Sequence, residues 1–386
     1  MKILFISHEA SITGAPLYLL HLCKHLKVET DWQLYFLLKS DGPLSTEFSK
    51  VGTTFFYNTQ TSDNLFTKIA NRLQKFSFFR KTRHRLLKNR IRSLKLDLIY
   101  SNTATNGNII AFLADLNIKI ITHVHELEGS INYYGKQNLQ LVKKYSKAFV
   151  STSKSVTAYL EYNLGINTDK ILRLNCTPIH NLPENIDKAS LKLSLGIPDN
   201  AFIVGTSGTV QWRKGWDLFI RLAQNVNHLD KERDFYFVWV GKFIDTNLIK
   251  LIENELIITN LKERVFFIGE RINPMQHYAL FDTFCLMSRE EAFGIVAIEC
   301  ALFGIPINCF DAAEGLCDFI KNDAGFIIPN LDTYEMAKAI VILANEKEIY
   351  KRMGDNARDR VLKEYNVPIQ LDKFCHFAKS ILFIEN

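Results

Sequence analysis

Short apolar runs alternate with longer amphipathic stretches along nearly the whole chain. In the first half the apolar runs cover residues 2–7, 32–38, 98–101, 118–122, 148–151 and 171–174. In the second half they cover residues 202–206, 236–241, 265–269, 283–287, 306–309 and 325–328. The runs are rich in Val, Ile, Leu and Phe without strict alternation, which is typical of parallel strands covered on both faces. The pattern therefore predicts repeated βαβ units in doubly wound sheets, an α/β fold.

A break in this pattern divides the chain. Residues 175–187 are rich in turn formers and lack periodicity, so they predict a linker. We expect a Rossmann-like N-terminal domain at 1–180, a second such domain at 181–368, and a C-terminal helix at 369–386 that could return to the first domain. Two such domains would face a central cleft at the carboxyl ends of their strands, where α/β proteins bind ligands.

Cysteine usage and hydropathy bear on the cellular compartment. The seven cysteines are odd in number, lack any CxxC spacing and mostly have apolar neighbours, which indicates reduced thiols rather than a disulfide framework or a zinc site. The N-terminal apolar run is too short for a signal peptide, and no run of about 18 apolar residues occurs. We therefore expect a cytoplasmic protein.

Residues 288–306 carry one of two informative motifs. A buried strand ends in a polar turn, and an apolar helix follows Gly294. Backbone N–H groups at the N-terminus of such a helix suit an anion; they belong to Phe293, Gly294 and Ile295. Glu299 lies inside the apolar helix and needs a polar partner. The alternative is structural: Glu291 caps the helix and Glu299 makes an ordinary salt bridge.

The second motif spans residues 205–217. A strand runs into a Gly-rich polar loop with two cations, Arg213 and Lys214, and a helix follows. Cations beside flexible backbone at the end of a strand suit a pyrophosphate group. The segment does not match the GxxxxGK[ST] phosphate loop, which disfavours a kinase or an ATPase. The alternative is a connecting loop with two solvated cations.

Together these motifs resemble the donor site of retaining GT-B glycosyltransferases of family four, the group 1 glycosyltransferases. The resemblance rests on Glu291 and Glu299 with seven residues between them, on Phe-Gly after the first and Gly-x-Pro after the second, and on the Lys-Gly loop. It implies that Glu291 contacts the transferred sugar, Glu299 holds the ribose and Lys214 binds the leaving diphosphate. The backbone amides of Phe293, Gly294 and Ile295 would face that diphosphate.

The chain departs from the family pattern at one donor-site position. The family usually has an Arg after the Gly that Gly208 matches, and here that position is Thr209. Arg213 is a candidate to supply the missing charge from a different place.

The N-terminal half contains weaker signals. Residues 11–16 join the first strand to a helix and resemble the family's Gly-rich loop, in which Gly14 would permit a tight turn and close approach to a ligand. His125 follows another strand and resembles the family's His-Asp/Glu turn, whose His lies near the sugar donor. A satisfied structural histidine is the alternative at position 125, and we expect His123 to be a core residue.

One basic segment carries the positive excess of the chain. Between Asn64 and Leu96 there are 11 Lys or Arg and no Asp or Glu, which leaves 36 basic and 41 acidic residues elsewhere. Apolar residues at helical spacing predict a basic amphipathic helix. It could bind an anionic membrane surface, or be a solvated helix packed on its own sheet. Nucleic-acid binding is disfavoured because no groove-reading motif accompanies the charge.

The resemblance implies an enzyme that moves a sugar, with retention, from a UDP- or GDP-linked donor to a glycan or lipid-linked acceptor. It implies no metal or other cofactor, and a role in bacterial surface polysaccharide or lipopolysaccharide synthesis at the inner face of the cell membrane. Two alternatives stay open: a sugar-nucleotide epimerase or phosphorylase of the same architecture, and a non-catalytic GT-B partner subunit.

Overall fold

The structure is a computed structural model, and it describes residues 1–58, 77–125, 136–291 and 293–383. It divides into two compact units. Unit 1 comprises Met1–Cys176 together with Val367–Asn386, and unit 2 comprises Thr177–Asn366. The sequence places the domain boundaries after residues 180 and 368, whereas the units of the structure change after residues 176 and 366.

Unit 1 is built on a parallel sheet. Within the described residues it has seven strands in the order β3-β2-β1-β4-β5-β6-β7. The strands are β1 (Lys2–Ser7), β2 (Gln33–Leu38), β3 (Thr53–Phe56), β4 (Leu98–Ser101), β5 (Lys119–Val124), β6 (Ala148–Ser151) and β7 (Ile171–Arg173). The strand β3 has no counterpart among the predicted strands, because this four-residue edge strand is only partly buried and contains no continuous apolar run.

Helices cover this sheet. They are α1 (Gly14–Glu29), α2 (Ser45–Val51), α3 (Ser77–Ser93), α4 (Gly107–Leu113), α5 (Lys136–Tyr145) and α6 (Lys154–Ala158). The strand residues Leu4, Ile6 and Ile99 belong to a core cluster that also contains Val142 of α5. Burial of the sheet on both faces explains why its strands are continuous apolar runs.

The described part of the basic segment packs on the unit 1 sheet. Leu87 and Ile91 of α3 are buried in the core cluster, whereas Leu86 is 60% exposed. Arg83 donates hydrogen bonds to three successive backbone carbonyls at distances of 2.8, 2.8 and 2.6 Å, those of Phe56, Tyr57 and Asn58. One face of α3 is therefore structural. The part of the basic segment before residue 77 lies outside the described residues.

Unit 2 repeats the arrangement. Its sheet has six parallel strands within the described residues, in the order β10-β9-β8-β11-β12-β13. The strands are β8 (Phe202–Ser207), β9 (Phe235–Val240), β10 (Val265–Phe267), β11 (Thr283–Leu286), β12 (Ile307–Phe310) and β13 (Ile327–Ile328). The helices are α7 (Lys188–Leu195), α8 (Trp216–Leu229), α9 (Asn247–Ile258), α10 (Pro274–Tyr278), α11 (Ile295–Ala301), α12 (Glu314–Ile320), α13 (Thr333–Asn345) and α14 (Lys347–Glu364).

The C-terminal helix α15 (Val367–Phe383) packs on unit 1. The ring of Phe374 is fully buried, with ring centroids 5.2 Å from Tyr100 and 6.3 Å from Trp32. Gln370 Oε1 accepts a 3.0 Å hydrogen bond from the backbone N–H of Asn175. Unit 1 is therefore assembled from both ends of the chain.

In each sheet the strand order reverses at one place. This switch point lies between β1 and β4 in unit 1, and between β8 and β11 in unit 2. Loops that leave the carboxyl ends of such strands form the usual ligand crevice of an open α/β sheet. Both predicted donor motifs follow the switch-point strands of unit 2.

All seven cysteines are free thiols, five of them buried. In the residues that the structure describes, no helix is both long enough and apolar enough to cross a bilayer.

Candidate functional site

Lys214 and Glu291 form an ion pair in unit 2. Lys214 ends a short 3-10 turn after β8, and Glu291 lies in the loop after the neighbouring strand β11. Lys214 Nζ donates to Glu291 Oε2, and the two side chains are only 17% and 14% exposed. Ser288 Oγ donates to the same oxygen at 3.3 Å. The two predicted motifs thus meet through their charged residues.

The charges around Glu291 keep it ionised. Burial alone would raise the pKa of this carboxyl, but the nearby Lys214 and Arg213 cations and two hydrogen bonds lower its pKa below the usual value. Glu291 does not cap α11, whose N-cap residue is Gly294 and which has no side-chain cap. The site therefore holds a carboxylate and a cation together where little water reaches them.

Arg213 ties the two loops together. Its Nη1 donates to the carbonyl of Glu290 at 2.7 Å, and its own carbonyl accepts from the N–H of Arg289 at 2.8 Å. Thr209 lies at the start of the same loop, half-buried. The guanidinium of Arg213 is thus beside Glu291, with one of its N–H groups already engaged by the backbone.

Arg289 is a residue that the sequence analysis missed. Its guanidinium makes a two-pronged ion pair with Asp217 of α8, at 2.9 and 2.6 Å, and donates to the carbonyl of Trp212 at 2.6 Å. It also lies over the indole ring of Trp212, 4.3 Å from the centroid. A single Arg in a polar turn carries no signal in the sequence, because its partners are 72 to 77 positions away.

Glycines allow these loops to approach one another. Gly215 has a φ of +75°, and a Cβ there would lie 2.1 Å from the carbonyl oxygen of Met287. Gly294 has a φ of +87° at the start of α11. Gly208 accepts a 2.8 Å hydrogen bond from Trp239 Nε1 through its carbonyl. Side chains at the first two positions would strain the backbone that presents Lys214 and α11.

In the loop before α11, the groups available to a ligand are backbone amides rather than side chains. The ring of Phe293 is 4% exposed and packs 5.7 Å from the ring of Tyr365. Ile295 is the first residue of α11. Since the first N–H groups of a helix have no partner within it, a ligand here would meet the amides of this segment.

The side chain of Glu299 contacts the segment at the start of unit 2. The residue is 2% exposed, and its Oε1 accepts from the N–H groups of Ile179 and His180, both at 3.1 Å, and from His180 Nδ1 at 2.8 Å. The hydrogen bond and the charge of Glu299 raise the pKa of His180 against the opposing effect of burial. Sequence reasoning missed His180 because it lies in the predicted linker, 119 positions from Glu299.

His125 of unit 1 lies at the carboxyl end of β5. Asn102 Nδ2 donates to the carbonyl of Ala15 at 2.8 Å, so Asn102 Oδ1 is the atom that lies 3.2 Å from His125 Nε2. Because this oxygen can only accept, His125 Nε2 carries the proton. Burial, together with the nearby His8, lowers the pKa of His125 to about 3. His125 is therefore a neutral hydrogen-bonding group near pH 7. His123 is fully buried, as expected of a core residue.

Gly14 differs from the expectation. It is the exposed first residue of α1, and a Cβ at this position would meet nothing within 4 Å. Its φ is outside the left-handed region. The backbone at Gly14 therefore does not require glycine, because α1 begins here with ordinary helical geometry; a role of Gly14 in donor binding stays a prediction.

The match to a family model agrees with this geometry. Residues 187–360, which contain both donor motifs, match the model described as Glycosyl transferases group 1. The chain is 25% identical over 281 residues to an uncharacterized glycosyltransferase of Haemophilus influenzae, covering 70% of this chain and 73% of that protein. It is 23% identical over 284 residues to N-acetyl-alpha-D-glucosaminyl L-malate synthase of Bacillus anthracis, covering 70% and 71%.

Solved structures share the fold. The Anabaena protein Alr3699/HepE in complex with UDP and glucose superposes with a TM-score of 0.79 at 19% identity, over 98% of this chain and all of that one. Staphylococcus aureus TarM gives a TM-score of 0.73 at 14% identity, over 98% and 99%. The GT-B fold and the resemblance to group 1 glycosyltransferases are confirmed. The chain is a glycosyltransferase with two Rossmann-like units, and unit 2 carries the group 1 match.

Proposed function

We propose that this glycosyltransferase takes a sugar from a nucleoside diphosphate donor and attaches it, with retention, to a hydroxyl group of a glycan or lipid-linked acceptor. The observation that carries the proposal is the Lys214–Glu291 pair, which joins the two switch-point loops of unit 2. The cation suits the diphosphate, and the carboxylate suits the hydroxyl groups of the sugar.

In the proposed reaction the bond between the anomeric carbon and the diphosphate oxygen breaks, while the acceptor oxygen bonds to that carbon on the same face. The acceptor proton passes to the departing phosphate oxygen, so the products are a glycoside and a nucleoside diphosphate. Lys214 and the amides of 293–295 stabilise the negative charge that develops on the diphosphate. Arg213 adds, from a different place in the loop, the positive charge that the family's Arg supplies and that Thr209 cannot.

Glu291 and Glu299 orient the donor in this proposal. Glu291 accepts hydrogen bonds from the transferred sugar, and Glu299 accepts them from the ribose through the carboxylate oxygen that His180 does not engage. His125, held by Asn102, hydrogen-bonds substrate as a neutral imidazole. Such orientation lowers the entropic part of the barrier.

We further propose a hexose-type donor sugar and a bacterial surface glycan as product. This rests on relatives whose names state such activities. One is a poly(ribitol-phosphate) alpha-N-acetylglucosaminyltransferase of Staphylococcus aureus, 27% identical over 207 residues, which cover 53% of this chain and 38% of that protein. UDP is the first donor nucleotide to test, because a structural neighbour binds UDP and glucose; GDP is the second.

A two-stage experiment tests the function. Thermal-shift screening of the whole protein with UDP- and GDP-sugars identifies the donor, because a bound donor stabilises the fold by mass action. Turnover is then measured with acceptor lipids or glycans, and the anomeric configuration of the product is determined by NMR. Nucleoside diphosphate release that requires an acceptor supports transfer, whereas an isomerised nucleotide sugar or a sugar phosphate indicates an epimerase or a phosphorylase. Binding without turnover indicates a non-catalytic partner subunit.

We propose that transfer needs no metal ion, because Lys214, Arg213 and the backbone amides supply positive charge to the diphosphate. Full turnover in excess EDTA, with added Mg²⁺ as the comparison, is the expected result. Loss of turnover that Mg²⁺ restores would contradict it.

We also propose that the exposed face of α3 binds the anionic inner face of the cell membrane. Lys81, Arg85, Arg90 and Arg92 are exposed, whereas Leu87 and Ile91 hold the helix on unit 1. Each well-placed cation contributes roughly 1 kcal/mol of attraction to anionic lipid. Co-sedimentation should be strong with anionic vesicles and weak with neutral ones, and should fall when Lys81, Arg85 and Arg92 become Gln. Equal recovery with both vesicle types would exclude this role.

A further inference from the structure

We propose that Arg289 is a positioning residue that holds Lys214 in place against Glu291. The inference rests on the proposed function and adds to it a residue that need not touch the substrate. Arg289 and Arg213 form hydrogen bonds between the turn that carries Lys214 and the loop that carries Glu291, and the inference rests on these contacts.

The contacts run in both directions between the two segments. The backbone N–H of Arg289 donates to the carbonyl of Arg213, and its guanidinium donates to the carbonyl of Trp212. Both hydrogen bonds hold the 212–214 turn. Arg213 reaches back and donates to the carbonyl of Glu290 at 2.7 Å. The turn is short, with three residues and two internal backbone hydrogen bonds, from the N–H groups of Lys214 and Gly215. These contacts fix the turn against the loop after β11.

Arg289 is itself fixed on two further sides. Asp217 of α8 accepts hydrogen bonds from both terminal nitrogens of the guanidinium, and the indole ring of Trp212 lies against one face of it. The side chain is only 16% exposed. A planar guanidinium can make the paired and stacked contacts at once, and an ammonium cannot. Arg289→Lys should thus keep the charge and lose the alignment.

Lys214 needs such alignment. Its chain is long and flexible, and an error of about 1 Å in a charge near the reacting bond lowers the rate by about 100-fold. The Nζ of Lys214 is directed to Glu291, and both residues are mostly buried. Arg289 fixes the backbone from which Lys214 extends, so its effect on turnover should depend on the Lys214 ammonium.

A matched control exists in the same unit. Arg360 of α14 also pairs with both oxygens of an aspartate, Asp323, at 2.7 and 2.8 Å. It donates to the carbonyls of Phe319 and Ile320 and lies over the ring of Phe319. Its contacts join α12 to α14 and include neither Lys214 nor Glu291. Arg360→Lys therefore removes a guanidinium with the same kinds of contact, and we expect it to lower stability without lowering turnover.

The test uses the whole protein and compares Arg289→Lys with Arg360→Lys. We expect Arg289→Lys to lower kcat at least about tenfold, and Arg360→Lys to leave kcat within about twofold, at a similar loss of Tm. The affinity for UDP, or for GDP if that is the nucleotide the wild type uses, is measured for both by calorimetry. If Arg289→Lys does not fold, Asp217→Asn replaces it with the same expectation.

The Lys214→Met background separates positioning from general stability. Arg289→Lys should weaken nucleotide binding about fivefold in the wild type, and by less than about twofold when Lys214 is already Met. Wild-type kcat in Arg289→Lys, or equal weakening in both backgrounds, would overturn the inference and leave the proposed function intact. A wild-type protein that neither binds a nucleoside diphosphate nor transfers sugar would overturn the proposed function, and this inference with it.

Discussion

Lys214 and Glu291 combine opposite charges in a place with little water. Electrostatic interactions of such groups are stronger than they would be in bulk solvent, because the local dielectric constant is lower. The Lys214 and Arg213 cations keep Glu291 ionised: the pKa of Glu291 is lowered although its burial acts in the opposite direction. Removal of Lys214 should therefore change the protonation of Glu291 as well as the charge of the site.

Lys214→Met tests this pair, because methionine has a similar length and no charge. Loss of the cation should lower kcat by about 100- to 1,000-fold, as expected for removal of one stabilising group from a developing oxyanion. The pKa of Glu291 should rise, so the acidic limb of the pH–rate profile should move to higher pH. Steady-state kinetics across pH measures both effects. Lys242→Met, at an exposed lysine in the loop after β9, is the control and should behave like the wild type.

His180 and Glu299 predict a pH dependence of stability. The pKa of His180 in the folded state is raised above 6.5, so the stabilisation from its charged form is present below pH 6.5 and is lost as the pH rises through the folded pKa. His180→Asn retains a donor and does not titrate. Its Tm should therefore fall less steeply than that of the wild type as the pH rises above 6.5.

The control for this prediction is His376→Asn. His376 pairs with Asp372 at the surface, where the two side chains are 79% and 70% exposed, respectively. Its Tm profile should follow the wild type. Identical pH profiles for His180→Asn and the wild type would show that the pair with Glu299 contributes no pH-dependent stability.

At the scale of elements, α3 combines two roles on opposite faces. Its apolar face contributes Leu87 and Ile91 to the core of unit 1, and Arg83 binds the carbonyls at the end of β3. A helical wheel predicts the first contact, because the apolar spacing is local. It does not predict the second, because Arg83 and its carbonyl partners are separated by 25 to 27 positions.

Arg83→Met should lower the free energy of unfolding of unit 1. Three backbone carbonyls would lose a charged donor, at a cost of about 1.5–3 kcal/mol. Arg85→Met, at an exposed neighbour on the same helix, should change stability by less than about 0.5 kcal/mol. Urea denaturation followed by circular dichroism measures the difference, and equal stabilities of the two variants would contradict the structural role of Arg83.

At the scale of the whole molecule, the chain is not two successive domains. Unit 1 takes its first 176 residues from the N-terminus and its last helix, α15, from the C-terminus. Unit 2 is thus inserted between two parts of unit 1. A fragment that ends at residue 176 would lack α15 and expose the apolar surface around Tyr100 and Trp32.

Phe374→Ala tests this assembly. The side chain is fully buried against Tyr100 and Trp32, so its truncation should lower the free energy of unfolding by about 3–5 kcal/mol. Phe383→Ala, in the same helix at 86% exposure, should cost less than about 0.5 kcal/mol. If Phe374→Ala were as stable as Phe383→Ala, α15 would not be an integral part of unit 1.

Local patterns predicted most of the fold. Twelve of the thirteen strands contain apolar runs that the sequence shows directly, because parallel strands covered on both faces are rich in apolar residues. The thirteenth, β3, begins with two threonines and is only partly buried, so it contains no such run. The motifs around Lys214 and Glu291 were recognisable for the same reason: each is a short stretch whose chemistry is contained in adjacent residues.

The partners of those motif residues depended on the tertiary structure. The amino-acid sequence by itself determined the α/β class, the two sheets and the short segments that hold Lys214, Glu291 and Glu299. Only the folded chain brought Arg289 to Asp217 and His180 to Glu299, across 72 and 119 positions. The physical reason is that side-chain periodicity acts over a few residues, whereas hydrogen bonds between loops depend on which strands lie side by side in the sheet.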